Sequence, residues 1–152
     1  MAMAPARKAK SPASSKAAKP GKTEATLANS IALDLGTLGL RDINQRLHDT
    51  KSGHFRILNP SGAHALACGL DGPLEVVVEG HAGYYCGSMN KDASITIHGN
   101  AGTGVAQNMM SGRVHVRGDA SQSAGATGCG GLLVIDGNAS ARLGISLRGL
   151  DI

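Results

Sequence analysis

The sequence predicts an all-β protein: a single-stranded parallel β-helix with 19-residue coils, preceded by a short cap of strands and one helix. The first observation is a glycine that recurs every 19 residues, at Gly80, Gly99, Gly118 and Gly137. The second is a short aliphatic segment directly before each of these corner glycines, and the third is an alanine two positions after each one. Self-similarity at a fixed period indicates a solenoid.

Each aliphatic segment is predicted to be a β-strand with one face inside the solenoid. Apolar residues stand four and two positions before each corner glycine, which is the period-two spacing of one strand face. The side chains predicted to point inward are Val76, Val78, Ile95, Ile97, Val114, Val116, Leu133 and Ile135. This apolar stripe is buried only if successive strands stack on one another, so the sheet is predicted to be parallel.

The rest of each repeat is predicted to consist of tight turns. A repeat of 19 residues is too short for a strand, a crossover helix and a return, which together need about 30. The leucine and asparagine pattern of leucine-rich repeats is also missing. We expect the corner glycines to adopt positive φ. The alanines, and a small residue seven positions after each corner glycine, are expected to let neighbouring coils approach closely.

The chain is predicted to have three regions: a disordered basic tail (1–25), an N-terminal cap (26–60) and the β-helix (61–152). Of the 15 Lys and Arg residues, six lie in residues 1–22, which contain no acidic residue. The remaining chain contains nine basic and eleven acidic residues. The net charge of +4 therefore belongs to the tail. A composition of Ala, Ser, Lys and Pro offers the tail too little apolar surface to fold.

The cap is predicted to contain a strand, a helix and a second strand. Residues 31–35 form the lead-in strand. Leu40, Ile43 and Leu47 recur at the spacing of one helix face, which predicts a short amphipathic helix over about residues 38–49. The second strand, over 55–58, is expected to end at Asn59-Pro60. Such a cap would cover the first coil, which otherwise exposes backbone and apolar side chains.

Composition argues against membrane and nucleic-acid functions. No apolar stretch of about 20 residues is present, and the N-terminal region lacks the apolar core of a secretory signal. The tail has no aromatic residue and the rest no basic face, so nucleic-acid binding is not expected. Cys68, Cys86 and Cys129 are too widely spaced to predict a metal centre or a disulfide framework. We therefore expect reduced thiols in a cytoplasmic protein.

The sequence predicts no catalytic, cofactor-binding or metal-binding residue. Asn100, Asp119 and Asn138 directly follow corner glycines, and we expect them to form a polar ladder that caps turn N–H groups. Residues 99–104 are rich in glycine like a nucleotide-binding loop, but the next strand follows too soon for the helix that such a loop needs. Acidic residues do not cluster as paired catalytic carboxylates would.

Three segments of the repeat resemble a known family. They are HAGYYC at residues 81–86, GNAGTGVAQNMMSG at 99–112 and GGLLVIDG at 130–137. They resemble the C-terminal glycine-repeat (GXGXG) domain of the glutamate synthase large subunit. They look closer still to the free-standing version of that domain, which is one subunit of methylamine–glutamate N-methyltransferase, also called N-methylglutamate synthase. The resemblance covers about residues 27–152, and one subunit of formylmethanofuran dehydrogenase shares the repeat more distantly.

The resemblance implies a right-handed β-helix without catalytic residues or cofactors of its own. It implies a scaffold subunit in a complex that converts methylamine and glutamate to N-methylglutamate and ammonia. Two partners are implied: a glutamine-amidotransferase-like subunit, and a synthase-like subunit that carries FMN and an iron–sulfur cluster. Alternatives are the formylmethanofuran dehydrogenase subunit, a glutamate synthase β-helix subunit in ammonia assimilation, and a solitary β-helical enzyme acting on a polymer.

Four residues are predicted to contact partners: Tyr84, Tyr85, His98 and His115. The two histidines fall on the outer strand register of neighbouring coils, so their imidazoles are expected to be solvated or to face a partner. Family members continue through further coils, whereas this chain ends after its fourth repeat. We therefore expect either that coils are missing at the C-terminal end or that a partner covers the open edge.

Overall fold

The computed structural model describes residues 29–152, which form one six-stranded sheet and one helix. The elements, in chain order, are β1 (Ile31–Asp34), α1 (Leu40–Asp49), β2 (Gly53–Leu58), β3 (Leu74–Val78), β4 (Ser94–Ile97), β5 (Arg113–Val116) and β6 (Leu132–Ile135). Each strand pairs in parallel with the next one along the chain. The predicted parallel β-helix is therefore confirmed. The basic tail predicted for residues 1–25 lies outside the described residues.

One continuous column of side chains runs through the interior of the solenoid. Val76 is in register with Ile95, Ile95 with Val114, and Val114 with Leu133. Seven of the eight side chains predicted to point inward are at most 1% exposed. Ile135 is only partly buried, because it lies in the last strand. The apolar stripe is thus the core of the protein, as its period predicted.

The cap belongs to the same sheet as the coils. Ile31 of β1 is in register with Phe55 of β2, and Phe55 is in register with Val76. The strands thus extend the stack through the cap. Helix α1 lies within the span predicted for it and buries Ile43 and Leu47 completely.

Helix α1 is held against the first coil by its polar side chains as well as its apolar ones. The Asn44 side-chain amide donates to the carbonyl of Ala65 at 2.8 Å, and its oxygen accepts from the N–H of Ala67 at 2.9 Å. His48 contacts the carbonyl of Cys68 at 3.0 Å.

Across residues 29–152, no helix has both the length and the apolar character needed to cross a membrane.

A second column, made of alanines, stacks the turns. Ala82, Ala101, Ala120 and Ala139 are joined in sequence by parallel β-bridges. Their small side chains let these backbone segments come within hydrogen-bonding distance, for example 3.0 Å from the N–H of Gly102 to the carbonyl of Ala82. The prediction that the alanines allow close approach is confirmed.

Candidate interaction surface

The corner glycines are required by close stacking rather than by backbone conformation. Gly80 has φ of 139°, but positive φ is not found at Gly99, Gly118 or Gly137, so that prediction was wrong for these three. A Cβ on Gly99 would lie 2.7 Å from the carbonyl carbon of Gly80. On Gly118 and Gly137 it would collide with a side-chain oxygen of the preceding coil. At these three corners, atoms of the preceding coil therefore fill the space that a side chain would need.

Left-handed backbone occurs instead at alternate residues of the turns. The fifth, seventh and ninth residues after each corner glycine have φ between 55° and 74°. They are Tyr85, Gly87, Met89, Gly104, Ala106, Asn108, Ser123, Gly125, Thr127, Arg142, Gly144 and Ser146. The seventh position, which was predicted to serve only close approach, thus has a conformational role, and most of these positions hold residues other than glycine.

This alternation determines where the turn hydrogen bonds go. The N–H groups of Tyr85 and Met89 donate to the next coil, at 2.9 Å to Thr103 and 2.8 Å to Gln107. The N–H of Gly87, between them, donates to the carbonyl of Leu66 in the preceding coil at 3.0 Å. Each turn is therefore bonded to both of its neighbours, which fixes the side chains that project from it.

The predicted polar ladder is present, and it begins one coil earlier than expected. The Asn100 side-chain oxygen accepts from the N–H of Asp119 at 3.0 Å, and the Asp119 carboxylate accepts from the N–H of Asn138 at 2.7 Å. His81 supplies the preceding rung, since its Nδ1 accepts from the N–H of Asn100 at 2.9 Å. The signal for His81 was its position 19 residues before Asn100. These groups are used to bind the coils together.

His98 directly follows β4 on the outside of the solenoid and belongs to an ion-pair network. Its Nδ1 is 2.9 Å from a carboxylate oxygen of Glu79, whose other oxygen accepts from Arg56 Nε at 3.0 Å. Burial acts to raise the pKa of Glu79, but the hydrogen bonds from Arg56 and His98 outweigh it and hold the pKa below its ordinary value of 4.5. The network links β2, β3 and β4 along the outside of the stack.

The ring of His115 is covered by this chain. His115 is only 7% exposed, so its imidazole is not solvated. Its Nε2 donates to Asp136 at 2.9 Å, and Arg117 reaches the other oxygen of that carboxylate at 3.3 Å. The bond from His115, aided by Arg117, holds the pKa of Asp136 below its ordinary value. Both histidines therefore bind carboxylates of adjacent coils.

Tyr84 and Tyr85 project from the turns, and their rings contact neighbouring coils. The ring of Tyr84 stacks on His64 with centroids 4.4 Å apart, and its N–H donates to His64 Nδ1 at 2.9 Å. On the other side, a Cβ on Gly102 would lie 2.9 Å from the Tyr84 ring, and one on Gly104 would lie 2.6 Å from the Tyr85 ring. Both rings thus lie over glycine backbone, yet they remain 52% and 47% exposed.

A cavity of about 310 Å³ opens beside Tyr85. Its lining residues come from three successive coils: Ala65, Cys68, Tyr85, Ser88, Met89, Gln107 and Asn108. The sequence had not singled out His64, Met89 or this cavity. His64 lies 20 residues before Tyr84, one residue more than the length of a repeat, so the spacing relates these two residues. Nothing in the sequence pattern predicts the cavity. A second cavity, of about 340 Å³, lies at the last coil and is lined mainly by β6 and Ile152.

The three cysteines are unpaired and differ in exposure. Cys86 is fully buried, and burial raises the pKa of its thiol to about 12. Cys68 is partly buried, and burial raises its pKa as well, whereas Cys129 is exposed. Within residues 29–152, no group of three or more His, Cys, Asp and Glu side chains is placed to hold a metal ion.

Comparison with known proteins gives one curated relative at significant similarity. The chain is similar to Protein GlxC of Rhizobium meliloti (strain 1021), with 55% identity over 86 residues. The match covers 54% of this chain and 38% of GlxC, so the chain spans well under half the length of that relative. No protein-family model and no solved structure matches the chain.

Proposed function

We propose that this chain is a non-catalytic β-helix scaffold subunit of a glutamate-synthase-like complex. The observation that carries the proposal is the register of the stack: the three segments that resemble the glutamate synthase repeat occupy successive turns of one solenoid. In this proposal the complex makes N-methylglutamate from methylamine and glutamate. We take the similarity to GlxC to reflect a common glutamate-synthase-related group of subunits.

The arrangement of polar groups supports a structural role. Acids and histidines on the outside of the solenoid are bound to one another, as in the pairs of Glu79 with His98 and of Asp136 with His115. The ladder residues donate to or accept from neighbouring coils. Side chains that are committed to holding the coils together are poorly placed to transfer protons to a substrate.

We assign the flavin and the iron–sulfur cluster to a partner subunit. Residues 99–104 are followed by turns and then β5, so this glycine-rich segment offers no helix N-terminus for the phosphate of FMN. The proposed partners are an FMN- and iron–sulfur-containing synthase-like subunit and a glutamine-amidotransferase-like subunit. The unpaired cysteines fit a reducing compartment, and we place the complex in the cytoplasm.

Purification of the tagged chain from its native cell, with its partners identified by mass spectrometry, tests the proposal. We expect a flavin-containing synthase-like subunit and an amidotransferase-like subunit in constant ratio to the chain, and N-methylglutamate as the product of the purified complex. Partners that contain molybdenum or tungsten would favour the formylmethanofuran dehydrogenase alternative instead. Glutamate as the product would favour ammonia assimilation. Turnover by the isolated chain would overturn the scaffold role.

A further inference from the structure

The side of the sheet that points away from the core, which we call the outer face, carries its charges in an ordered pattern. Side chains along a strand alternate between the core and this face. Glu75 lies on β3 and Glu79 directly follows it, whereas Arg113 lies on β5 and Arg117 directly follows it. Strand β4 lies between them in register, and residues 94–98 contain no Asp, Glu, Lys or Arg. An acidic strand and a basic strand therefore flank an uncharged one.

Two of these charged side chains are little used within the chain. Glu75 is 55% exposed, and its carboxylate contacts the imidazole of His54 at 3.0 Å. Arg113 is exposed and forms no ion pair with any residue of 29–152. Glu75 and Arg113 are two strand spacings apart, about 10 Å, with Ser94 between them. These opposite charges are therefore available to another molecule.

A second copy of the chain can present the opposite charge at each of these positions. Identical subunits most often associate about a two-fold axis, which places the same surface of both copies in contact. With the axis along β4, between two outer faces, β3 of one copy faces β5 of the other. Glu75 of one copy then faces Arg113 of the other, and Glu79 faces Arg117. The outer face is thus complementary in charge to itself.

Other two-fold arrangements of these faces bring like charges together. An axis across the strands sets each strand against its own copy in the opposite direction, so Glu75 faces Glu79 and Arg113 faces Arg117. Shifting the axis to lie between β4 and β5 sets Glu79 against Asp136. Contacts between like charges are strongly unfavourable and act against such arrangements. The charge pattern therefore favours one orientation and one register.

The side chains along the middle of the outer face let two copies approach closely. Val77, Thr96 and Val134 are partly buried, and His115 is only 7% exposed. Stacked sheets pack about 10 Å apart, a distance that side chains of this size fill. The face measures about 29 Å across its six strands and about 16 Å along them. This area is at the small end of specific interfaces, so a weak association is expected.

We propose that two copies of the chain associate through their outer faces about a two-fold axis along β4. Glu75 of each copy pairs with Arg113 of the other, while Glu79 and Arg117 add a second contact of opposite charges. The inference does not depend on the proposed function. We expect a dissociation constant on the order of 10 µM at about 50 mM NaCl, rising at least about tenfold at about 500 mM NaCl.

Charge reversal in the full chain tests the pairing. Glu75→Arg and Arg113→Glu each set like charges against each other, so each should raise the dissociation constant at least about tenfold. The double variant Glu75→Arg/Arg113→Glu restores opposite charges, and so does an equimolar mixture of the two single variants. Both should dimerise like wild type. Lys91→Glu, at an exposed turn residue, is the matched control and should leave the constant unchanged. Analytical ultracentrifugation measures these constants.

A cysteine on the axis locates the contact. In Thr96→Cys the introduced thiols of the two copies face each other, so a short bis-maleimide should link them. Val134→Cys, which faces β2 of the second copy, should not link to itself. Peptide mapping distinguishes these links from any formed by the exposed native Cys129.

Three results would overturn the inference. The first is a wild-type chain that stays monomeric up to about 1 mM. The second is a dimer that charge reversal leaves unchanged, or a mixture of single variants that does not restore it. The third is self-linkage through Val134→Cys in place of Thr96→Cys, which would move the contact to the last coil.

Discussion

Asp119 and Asn138 occupy the same position in neighbouring coils, and a carboxylate oxygen of Asp119 accepts the backbone N–H of Asn138 at 2.7 Å. The side chain of one coil thus satisfies the main chain of the next. Because the same bond recurs from Asn100 to Asp119, the ladder ties three coils together with identical geometry.

Removal of a rung should destabilise the solenoid slightly. Asp119→Ala deletes the acceptor for the N–H of Asn138, and we expect it to lower the free energy of unfolding by about 1 kcal/mol. Asp119→Asn retains an oxygen at the same place and should cost less than half as much. Urea unfolding of the two variants measures the difference. An equal loss for both would show that the rung does not act through its acceptor.

A side chain at a corner should be far more costly than one on the adjacent strand face. A Cβ on Gly99 would lie 2.7 Å from backbone of the preceding coil, so Gly99→Val forces adjacent coils apart. We expect a loss of about 3 kcal/mol or more. Thr96→Val, on the outer face of β4, should change stability by less than about 0.5 kcal/mol. Equal shifts in melting temperature would contradict the stacking described here.

The network around Glu79 should contribute stability that depends on pH. Because the pKa of Glu79 is below 4.5 in the folded protein, its contribution is present above that pH and is lost as pH falls through the folded pKa. Glu79→Gln should therefore be less stable than wild type at pH 7, by up to about 1 kcal/mol given the partial exposure of the network.

Below pH 4.5, the free energies of unfolding of wild type and Glu79→Gln should converge. Chemical denaturation at a series of pH values measures this difference. Asp92→Asn, at an exposed acid in another turn, is the control and should give a small difference at every pH. A gap between wild type and Glu79→Gln that widens at low pH would contradict the assigned direction.

The cysteines should react with a thiol reagent in the order of their exposure. Cys129 is exposed, Cys68 is partly buried, and Cys86 is buried with its pKa raised to about 12. Since the thiolate is the reactive form, we expect Cys129 to be modified first and Cys86 only after unfolding. Mass spectrometry of the labelled native chain gives the order, and labelling in denaturant is the control. Modification of native Cys86 as fast as Cys129 would disprove the burial.

Period and polarity were enough to predict the stack but not the path of the turns. The column from Val76 to Leu133 and the ladder from Asn100 to Asn138 follow directly from a 19-residue spacing. The spacing does not specify dihedral angles, so the left-handed residues were assigned to the corner glycines instead of to alternate turn positions. Non-glycine residues such as Tyr85 and Met89 adopt φ near 60° there, and this conformation lets their N–H groups donate to carbonyls of the next coil.

The surroundings of individual side chains were also beyond the sequence. His115 lies on the outer strand register as predicted, but its ring is buried and is bonded to Asp136 of the next coil. The support of Tyr85 by the bare backbone of Gly104 likewise depends on which atoms face each other across coils. Whether Tyr84, Tyr85, His98 and His115 contact partners stays a prediction.

Reconstitution of the complex from its separate subunits, with and without this chain, tests the central claim most directly. The rate of N-methylglutamate formation from methylamine and glutamate is the quantity measured. We predict that the chain alone forms no product, that the other subunits without it lose most of their activity, and that adding it back restores the rate. Full activity of the other subunits without the chain, or turnover by the chain alone, would contradict the scaffold role.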